Sequence, residues 1–312
     1  MECMLENISL NYEVHGRGRP LLTLHGFYPD HRLMEGCLEP IFRTLSGWKR
    51  LYLDLPGMGS TKAQPWIVNS DHMLQVLLEF IDLIIPNQRF VLAGESYGGY
   101  LARGILRRRQ PWIDGLLLLC PLIVPARERR DVPPHNVLVK DEAFMDTLAE
   151  GAREEFESVA VVQNRKAWER FHAEILPGLK AADSSFLARL QSGGYAFSFA
   201  VDPLLEPFTK PALFLMGRQD GIVGYRDAFR ILEQYPRASY AVLDRAGHNL
   251  QIEQERLFAA LVEEWAFRIE EEEAQEAGRT EFRRESNFHS GRRGQDESSN
   301  HHHGGNLRQA LR

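Results

Sequence analysis

The segment Gly94-Glu95-Ser96-Tyr97-Gly98 holds the residues best suited to chemistry. A serine between two glycines at this spacing is the pattern of a nucleophile carried on a sharp strand-to-helix turn. The string arises often by chance, but here an apolar run over residues 90–94 leads into it and an amphipathic stretch over 97–109 leaves it. The glycines remove Cβ clashes in so tight a turn, and a helix N-terminus adds positive potential where an oxyanion would form. A free hydroxyl is a poor nucleophile near neutral pH, so Ser96 needs a base. His248, in Arg245-Ala246-Gly247-His248-Asn249 after a late apolar run, is the histidine placed to serve. His15, His31, His72, His135 and His172 fall in turns, helix surfaces or a charged middle region, and His25, just before Gly26, reads as a brace for its loop. The base in turn needs an acid to fix its tautomer. Asp220 closes Phe214-Leu215-Met216-Gly217-Arg218-Gln219-Asp220 and fits; Asp244, just ahead of the histidine loop, reads as a turn residue. The chain order Ser96, Asp220, His248 is the one expected of a nucleophile-elbow hydrolase. An oxyanion hole would draw on the backbone N–H of Tyr97 and, after Leu21-Leu22-Thr23-Leu24-His25-Gly26, that of Phe27.

These residues require a scaffold that brings several strand ends together. Short apolar runs alternate with amphipathic stretches, the signature of βα units and a mostly parallel sheet. Residues 7–14 read as one arm of an N-terminal hairpin, and buried strands are expected over 20–25, 50–55, 90–94, 115–120, 212–216 and 239–243. Helices are expected over 35–45, 70–85, 97–109, 225–235 and 249–272, the second capped by Asn69 or Ser70 and closed by Pro86. Near-continuous apolar strands of this kind are covered on both faces.

Two regions break the alternation. Residues 122–205 turn helical and charged, which predicts a mobile helical cap over the edge of the sheet where ligands bind. Residues 1–121 and 206–270 then form the core. Residues 271–312 carry almost no apolar side chains and read as a disordered tail, with His301, His302 and His303 inert within it.

Bulk properties narrow the function classes. The 312 residues are 44% hydrophobic, ample for one large core, and the formal net charge is -6. That charge argues against nucleic-acid binding and a basic membrane-docking face. Three scattered cysteines, Cys3, Cys37 and Cys120, do not make a disulfide framework or a zinc site. The opening residues lack a basic stretch followed by an apolar one, and the longest apolar run is too short to span a bilayer. A cytoplasmic protein acting on a small molecule is expected, with no metal; nothing in the sequence signals an oligomeric state.

The motifs together resemble the α/β-hydrolase superfamily: His25-Gly26, Asp54-Leu55-Pro56-Gly57-Met58-Gly59-Ser60, Gly94-Glu95-Ser96-Tyr97-Gly98-Gly99, Gly217-Arg218-Gln219-Asp220 and Ala246-Gly247-His248. The resemblance spans about residues 5 to 268. It implies an α/β-hydrolase fold with an eight-stranded, mostly parallel sheet, helices on both faces and a helical cap after the sixth strand. It also implies a Ser-Asp-His triad with no cofactor, and places Glu95 beneath the elbow in a supporting role. Glu174-Ile175-Leu176-Pro177-Gly178-Leu179-Lys180 and the segment from Asp220 to Asp227 are similar to a bacterial branch without an assigned substrate. Haloalkane dehalogenases and epoxide hydrolases carry Asp where Ser96 stands. Proline iminopeptidases carry a Gly-Gly-Ser-Trp-Gly elbow, unlike the one here, and lipases with broad aliphatic mouths match a charged cap poorly.

Substrate-shaping candidates are aromatic. Phe27 and Tyr97 adjoin the nucleophile and are expected on the pocket floor; Tyr28, Trp168, Phe171, Tyr195, Phe197 and Phe199 are expected on its rim or in the cap packing. Arg127, Arg129 and Arg130 could attract an anionic substrate. The leading expectation is hydrolysis of a small ester, lactone or thioester through an acyl-enzyme. An alternative is C–C bond hydrolysis of a dienoic or β-diketone acid, which requires a cation for the substrate carboxylate that the sequence does not place near Ser96. A third is a non-catalytic ligand receptor that uses the cap as a switch.

Overall fold

The computed structural model describes the backbone of residues 1–296 and the side chains of residues 1–276. The chain divides into two compact units, Met1–Ala266 and Phe267–Arg312. The first holds an eight-stranded sheet and the helices that cover it.

A short strand that the sequence reading did not place, β1 Glu2–Met4, opens the sheet; the next follow the apolar runs to within about two residues: β2 Ser9–Gly16, β3 Arg19–Leu24, β4 Trp48–Leu53, β5 Phe90–Glu95 and β6 Ile113–Leu119. A two-residue parallel ladder, β7 Val139–Lys140 with β8 Val162–Gln163, lies apart from the main sheet. The sheet resumes with β9 Ala212–Gly217 and β10 Ala238–Leu243 and has the order β1-β2-β4-β3-β5-β6-β9-β10. β2 runs antiparallel to β1 and β4, and the rest of the ladder is parallel. Every residue of β5 and β9 is buried. Successive strand side chains point to opposite faces, so both faces of the sheet are covered there.

The helices are α1 Arg32–Phe42, α2 Ser70–Ile84, α3 Ser96–Arg109, α4 Glu142–Met145, α5 Glu150–Glu157, α6 Arg165–Glu174, α7 Leu176–Ala181, α8 Ser184–Gly193, α9 Arg226–Phe229, α10 Leu250–Glu253 and α11 Glu255–Asp296. Asn69 caps α2, its side chain accepting from the His72 amide, as its type and position predict. The helix expected over 225–235 is instead α9 followed by a 3₁₀ turn at Leu232–Gln234. The tighter turn delivers Tyr235 to a buried site edge-on to Phe214 of β9, ring centroids 5.0 Å apart, so tertiary packing overrides the helical period.

A second departure concerns the tail. The stretch from residue 271, read from composition as disordered, continues as helix within α11 as far as Asp296. Lack of core-forming side chains does not prevent helix propagation once a turn exists, because nucleation is the costly step and each further residue adds a bond. Residues 297–312, with His301, His302 and His303, lie outside the described residues.

Between β6 and β9 the chain carries the insertion, with α4 to α8. Both of its ends converge on one side chain. Arg103 of α3, with no exposed surface, donates to the Leu122 carbonyl at 2.8 Å and the Ile123 carbonyl at 3.2 Å, and pairs with Asp202. The Leu122 amide also donates to the Ser96 carbonyl at 2.9 Å. No helix among the described residues is long and apolar enough to cross a membrane.

Candidate active site

The three residues singled out from the sequence meet at the carboxyl ends of β5, β9 and β10. β5 passes directly into α3, and Ser96 at the junction has φ 49°. A non-glycine residue in the left-handed region is strained, and the cost is borne here where the hydroxyl must stand clear of the sheet. Gly98 makes the turn possible: a Cβ there would lie 2.2 Å from the Leu24 carbonyl oxygen of β3. Gly217 does the same for the histidine loop, since a Cβ there would lie 2.1 Å from the Gly247 carbonyl oxygen. The acid strand and the base loop can therefore approach each other closely.

His248 Nε2 lies 3.0 Å from Ser96 Oγ, and His248 Nδ1 lies 2.9 Å from Asp220 Oδ2. With Nδ1–H donated to the carboxylate, Nε2 is left to accept the serine proton. Asp220 is fully buried and fixed by its other oxygen, which accepts from the amides of Ile222 at 2.8 Å and Val223 at 3.1 Å. Asp244 faces away, its Oδ1 accepting from the Gln219 side chain at 2.9 Å. His25 takes the bracing part expected of it: its ring bonds the Gly26 carbonyl at 2.8 Å and accepts from the Leu55 amide at 3.0 Å.

Two carboxylates support the imidazole that sequence reasoning did not place there. Glu95 Oε1 lies 3.2 Å from His248 Nε2, so the residue beneath the elbow faces the nitrogen that would receive the proton. Burial pushes the Glu95 carboxyl well above the ordinary carboxylate range and the charge of Asp220 adds to this, while His248 and the Gly26 backbone pull the other way. For His248, burial disfavours the imidazolium, but the charge and hydrogen bond of Asp220, followed by the charge of Glu95, more than reverse it. The net effect holds the imidazole above its ordinary value, with Arg130 opposing. Glu253 of α10 accepts from the Gly247 amide and from the Val161 amide, fastening the loop that carries His248 to the insertion beside β8. Glu253 stands five residues past the histidine, and only its role as a local acceptor is foreseeable from such spacing.

The amide of Tyr97 lies in the first turn of α3, where no carbonyl one turn back is available to it. The amide of Phe27 makes no hydrogen bond to the described residues. Both therefore hold a free donor beside the elbow and its facing loop.

Ser96 and His248 open into a cavity of about 690 Å³, within the usual range for small-molecule sites. Phe27, Tyr28, Phe171 and Tyr195 are among the residues that line it. Four other aromatics do not, among them Phe199, which stacks on Phe197 with ring centroids 4.8 Å apart. Tyr97 lies behind the wall, fully buried, its ring stacked on Tyr195 at 5.0 Å and its hydroxyl 2.7 Å from Ser70 Oγ. Its backbone adjoins the nucleophile, but the helix turns its side chain away. Trp168 packs against Phe156 and His172, and Phe197 stacks on Tyr100 at 4.4 Å, so both serve packing within and beneath the insertion. Apolar wall residues Leu122, Ile175, Leu179 and Val223, unremarkable in the sequence, complete the lining.

Among the described residues, two groups of side chains have metal-like proximity: Cys120 with Asp220 and His248, and Asp30 with His31 and Asp54. In the first, Asp220 and His248 already bond each other, and burial pushes the Cys120 thiol up, away from the thiolate that ligation needs. In the second, Asp54 accepts from both the amide and the ring of His31, and Asp30 pairs with Arg32. Both sets are engaged as protein contacts.

Comparison with known proteins agrees with this geometry. Residues 21–261 match the model of the alpha/beta hydrolase family. The chain is 27% identical over 264 residues to the pimeloyl-[acyl-carrier protein] methyl ester esterase of Aeromonas salmonicida, covering 82% of this chain and 98% of that protein. It is also 27% identical over 256 residues to the 2-succinyl-6-hydroxy-2,4-cyclohexadiene-1-carboxylate synthase of Salmonella paratyphi B, covering 75% and 90%. Among solved structures, the alpha/beta superfamily hydrolase of Oenococcus oeni PSU-1 superposes with a TM-score of 0.78 at 30% identity, covering 86% of this chain and 99% of that one. A sheet of eight strands, an elbow serine at the end of β5 and a family match across most of the chain lead to one conclusion: this protein is a member of the alpha/beta hydrolase family.

Proposed function

We propose that the protein is a serine hydrolase of carboxylesterase type that cleaves small esters through an acyl-enzyme. The observation that carries this reading is the continuous relay from Asp220 through His248 to Ser96, with both links at hydrogen-bond length and the serine opening into a cavity of small-molecule size. Ser96 Oγ attacks the ester carbonyl carbon as its proton passes to His248 Nε2. The amides of Phe27 and Tyr97 receive the oxyanion, and Asp220 stabilises the imidazolium. Collapse of the tetrahedral species returns the proton to the leaving alcohol and leaves the acyl group on Ser96. A water then enters and attacks the acyl carbonyl carbon as its proton passes to His248; cleavage of the bond to Ser96 Oγ releases the acid, and His248 returns the proton to the serine. Relatives named as methyl ester esterases support an ester as the bond cleaved.

Residues 122–205 act as the cap, a lid that supplies the substrate-facing wall from α5 to α8 while the sheet supplies the relay. A cytoplasmic location fits three buried free thiols, which are at home in a reducing compartment.

Labelling with a fluorophosphonate, together with a nitrophenyl ester burst, tests the reading. Wild type should label at Ser96 and release about one equivalent of nitrophenol ahead of steady turnover; Ser96→Ala should do neither. Labelling that persists in the variant would reject Ser96 as the nucleophile. Unlabelled wild type that binds esters without turnover would favour a ligand receptor.

A further inference from the structure

Of the charged side chains that line the cavity and that the relay leaves unused, one is half-buried and held in place. Arg130 lines the same space as Ser96 and His248. Three backbone carbonyls fix its guanidinium: Nε donates to Val124 at 2.8 Å, one Nη to Ile222 at 3.1 Å and the other to Pro125 at 2.8 Å. Ile222 is also the residue whose amide donates to Asp220, so the cation is tied to the acid of the relay through a single residue. A guanidinium has five N–H donors, and three carbonyls leave two. No carboxylate among the described residues forms an ion pair with it. Its charge acts on the site nonetheless, opposing protonation of His248 and favouring ionisation of Tyr195, whose ring forms part of the same wall.

The other charges of the cavity sit differently. Arg127, Glu128 and Glu155 are exposed at its mouth, and Arg129 does not line it. Of the three arginines grouped together in the sequence, only Arg130 is half-buried and held in a fixed orientation. A desolvated cation satisfied only by carbonyl dipoles gains most from an anion that completes its charge and its remaining donors.

We propose that the substrate carries a carboxylate several atoms from the scissile carbonyl, and that Arg130 binds it; monoesters of dicarboxylic acids are the simplest such compounds. The proposal rests on the acyl-transfer reading above and names its substrate class. It also supplies the cation that C–C cleavage of an acid would demand, a group the sequence alone did not place near Ser96.

The test compares the monomethyl and dimethyl esters of dicarboxylic acids from succinate to sebacate on the full chain. For the best chain length, wild type should favour the monomethyl ester by about 10-fold or more in kcat/KM, mainly through KM. Rising salt should erode that preference and leave the dimethyl ester unaffected. Arg130→Met should bring the two esters to within about 2-fold of each other, any change in turnover that passes through His248 being common to both, and Arg130→Lys should retain part of the preference. No monoester preference in wild type at any length overturns the proposal, as does loss of both esters in equal proportion in Arg130→Met, which would make Arg130 a staple for its loop. If Arg130→Met does not fold, the salt response and the Lys variant still decide. Hydrolysis of neither ester overturns the acyl-transfer reading itself, whereas hydrolysis of both without preference overturns only the carboxylate.

Discussion

Replacing Glu95 with Gln separates electrostatic support of the imidazole from mere packing. The Glu95 Oε1 atom lies 3.2 Å from His248 Nε2, and Gln keeps its size and hydrogen-bonding capacity while removing the charge. Even with water-like screening, a unit charge at that distance is worth about 1.3 kcal/mol, close to one pH unit, and more within a buried site. Glu95 raises the affinity of His248 for a proton, so its loss lowers that affinity. Catalysis requires neutral imidazole to receive the serine proton, so kcat/KM in wild type should rise with pH through a value above that of ordinary imidazole. In Glu95→Gln the rise should move down by at least about one pH unit. The same charge would stabilise the imidazolium that forms during attack, so the high-pH plateau should fall by about 10-fold or more. Profiles of kcat/KM for a nitrophenyl ester, measured from acid to alkaline pH, read both effects in one experiment. A plateau that falls with no movement of the acid limb would refute the argument and leave Glu95 a packing residue.

Three further outcomes follow from the geometry. Asp220→Asn keeps the oxygen that accepts from Ile222 and Val223 but turns an amide N–H toward His248 Nδ1, forcing the wrong tautomer; kcat should drop by about 10⁴-fold, while Asp244→Asn stays near wild type. The reverse pattern would reassign the acid. Gly98→Ala drives a methyl against the Leu24 carbonyl in a place where both partners are backbone, so thermal unfolding should show marked destabilisation, about 2 kcal/mol or more, and fluorophosphonate labelling should be lost with it. Glu253→Gln weakens the acceptor of the Gly247 and Val161 amides by removing its charge; about 1–2 kcal/mol of stability should be lost in denaturant titration, with kcat reduced through a loosened His248. Unchanged stability in that variant would show that the fastening is incidental.

The parts legible in the sequence share one property: they follow from local pattern. Ser96, Asp220 and His248 each stand just beyond a buried apolar strand, and a parallel sheet gathers such ends on one edge, so type and position sufficed. Side-chain direction was less legible. Tyr97 is adjacent to the nucleophile in sequence, yet one residue along a helix rotates its ring by about 100° and places it behind Tyr195. The packing of Trp168 on Phe156 and of Phe197 on Tyr100 depends on how the helices of the insertion lie, which residue type does not encode. Arg130 and Glu253 owe their positions to contacts with residues some ninety places away in the chain, Ile222 for one and Val161 for the other. No spacing rule encodes such meetings. The helical stretch beyond residue 271 is not legible from composition, because helix bonds are local and need no core.

Arg103 gives the molecule a seam. Both feet of the insertion, at Leu122 and Asp202, are gripped by this one buried guanidinium, and removing the Asp202 carboxylate would leave the cation uncompensated at a cost of about 3–5 kcal/mol. Between two points held by one side chain, lengthening the chain costs only slowly growing closure entropy. The insertion is in that sense moored at a single anchor, and a redesign cut in at Leu122 and Asp202 can vary its length while leaving Arg103 in place. What it must keep is the Val161 amide on Glu253, because the same carboxylate holds the Gly247 amide and so the loop of His248.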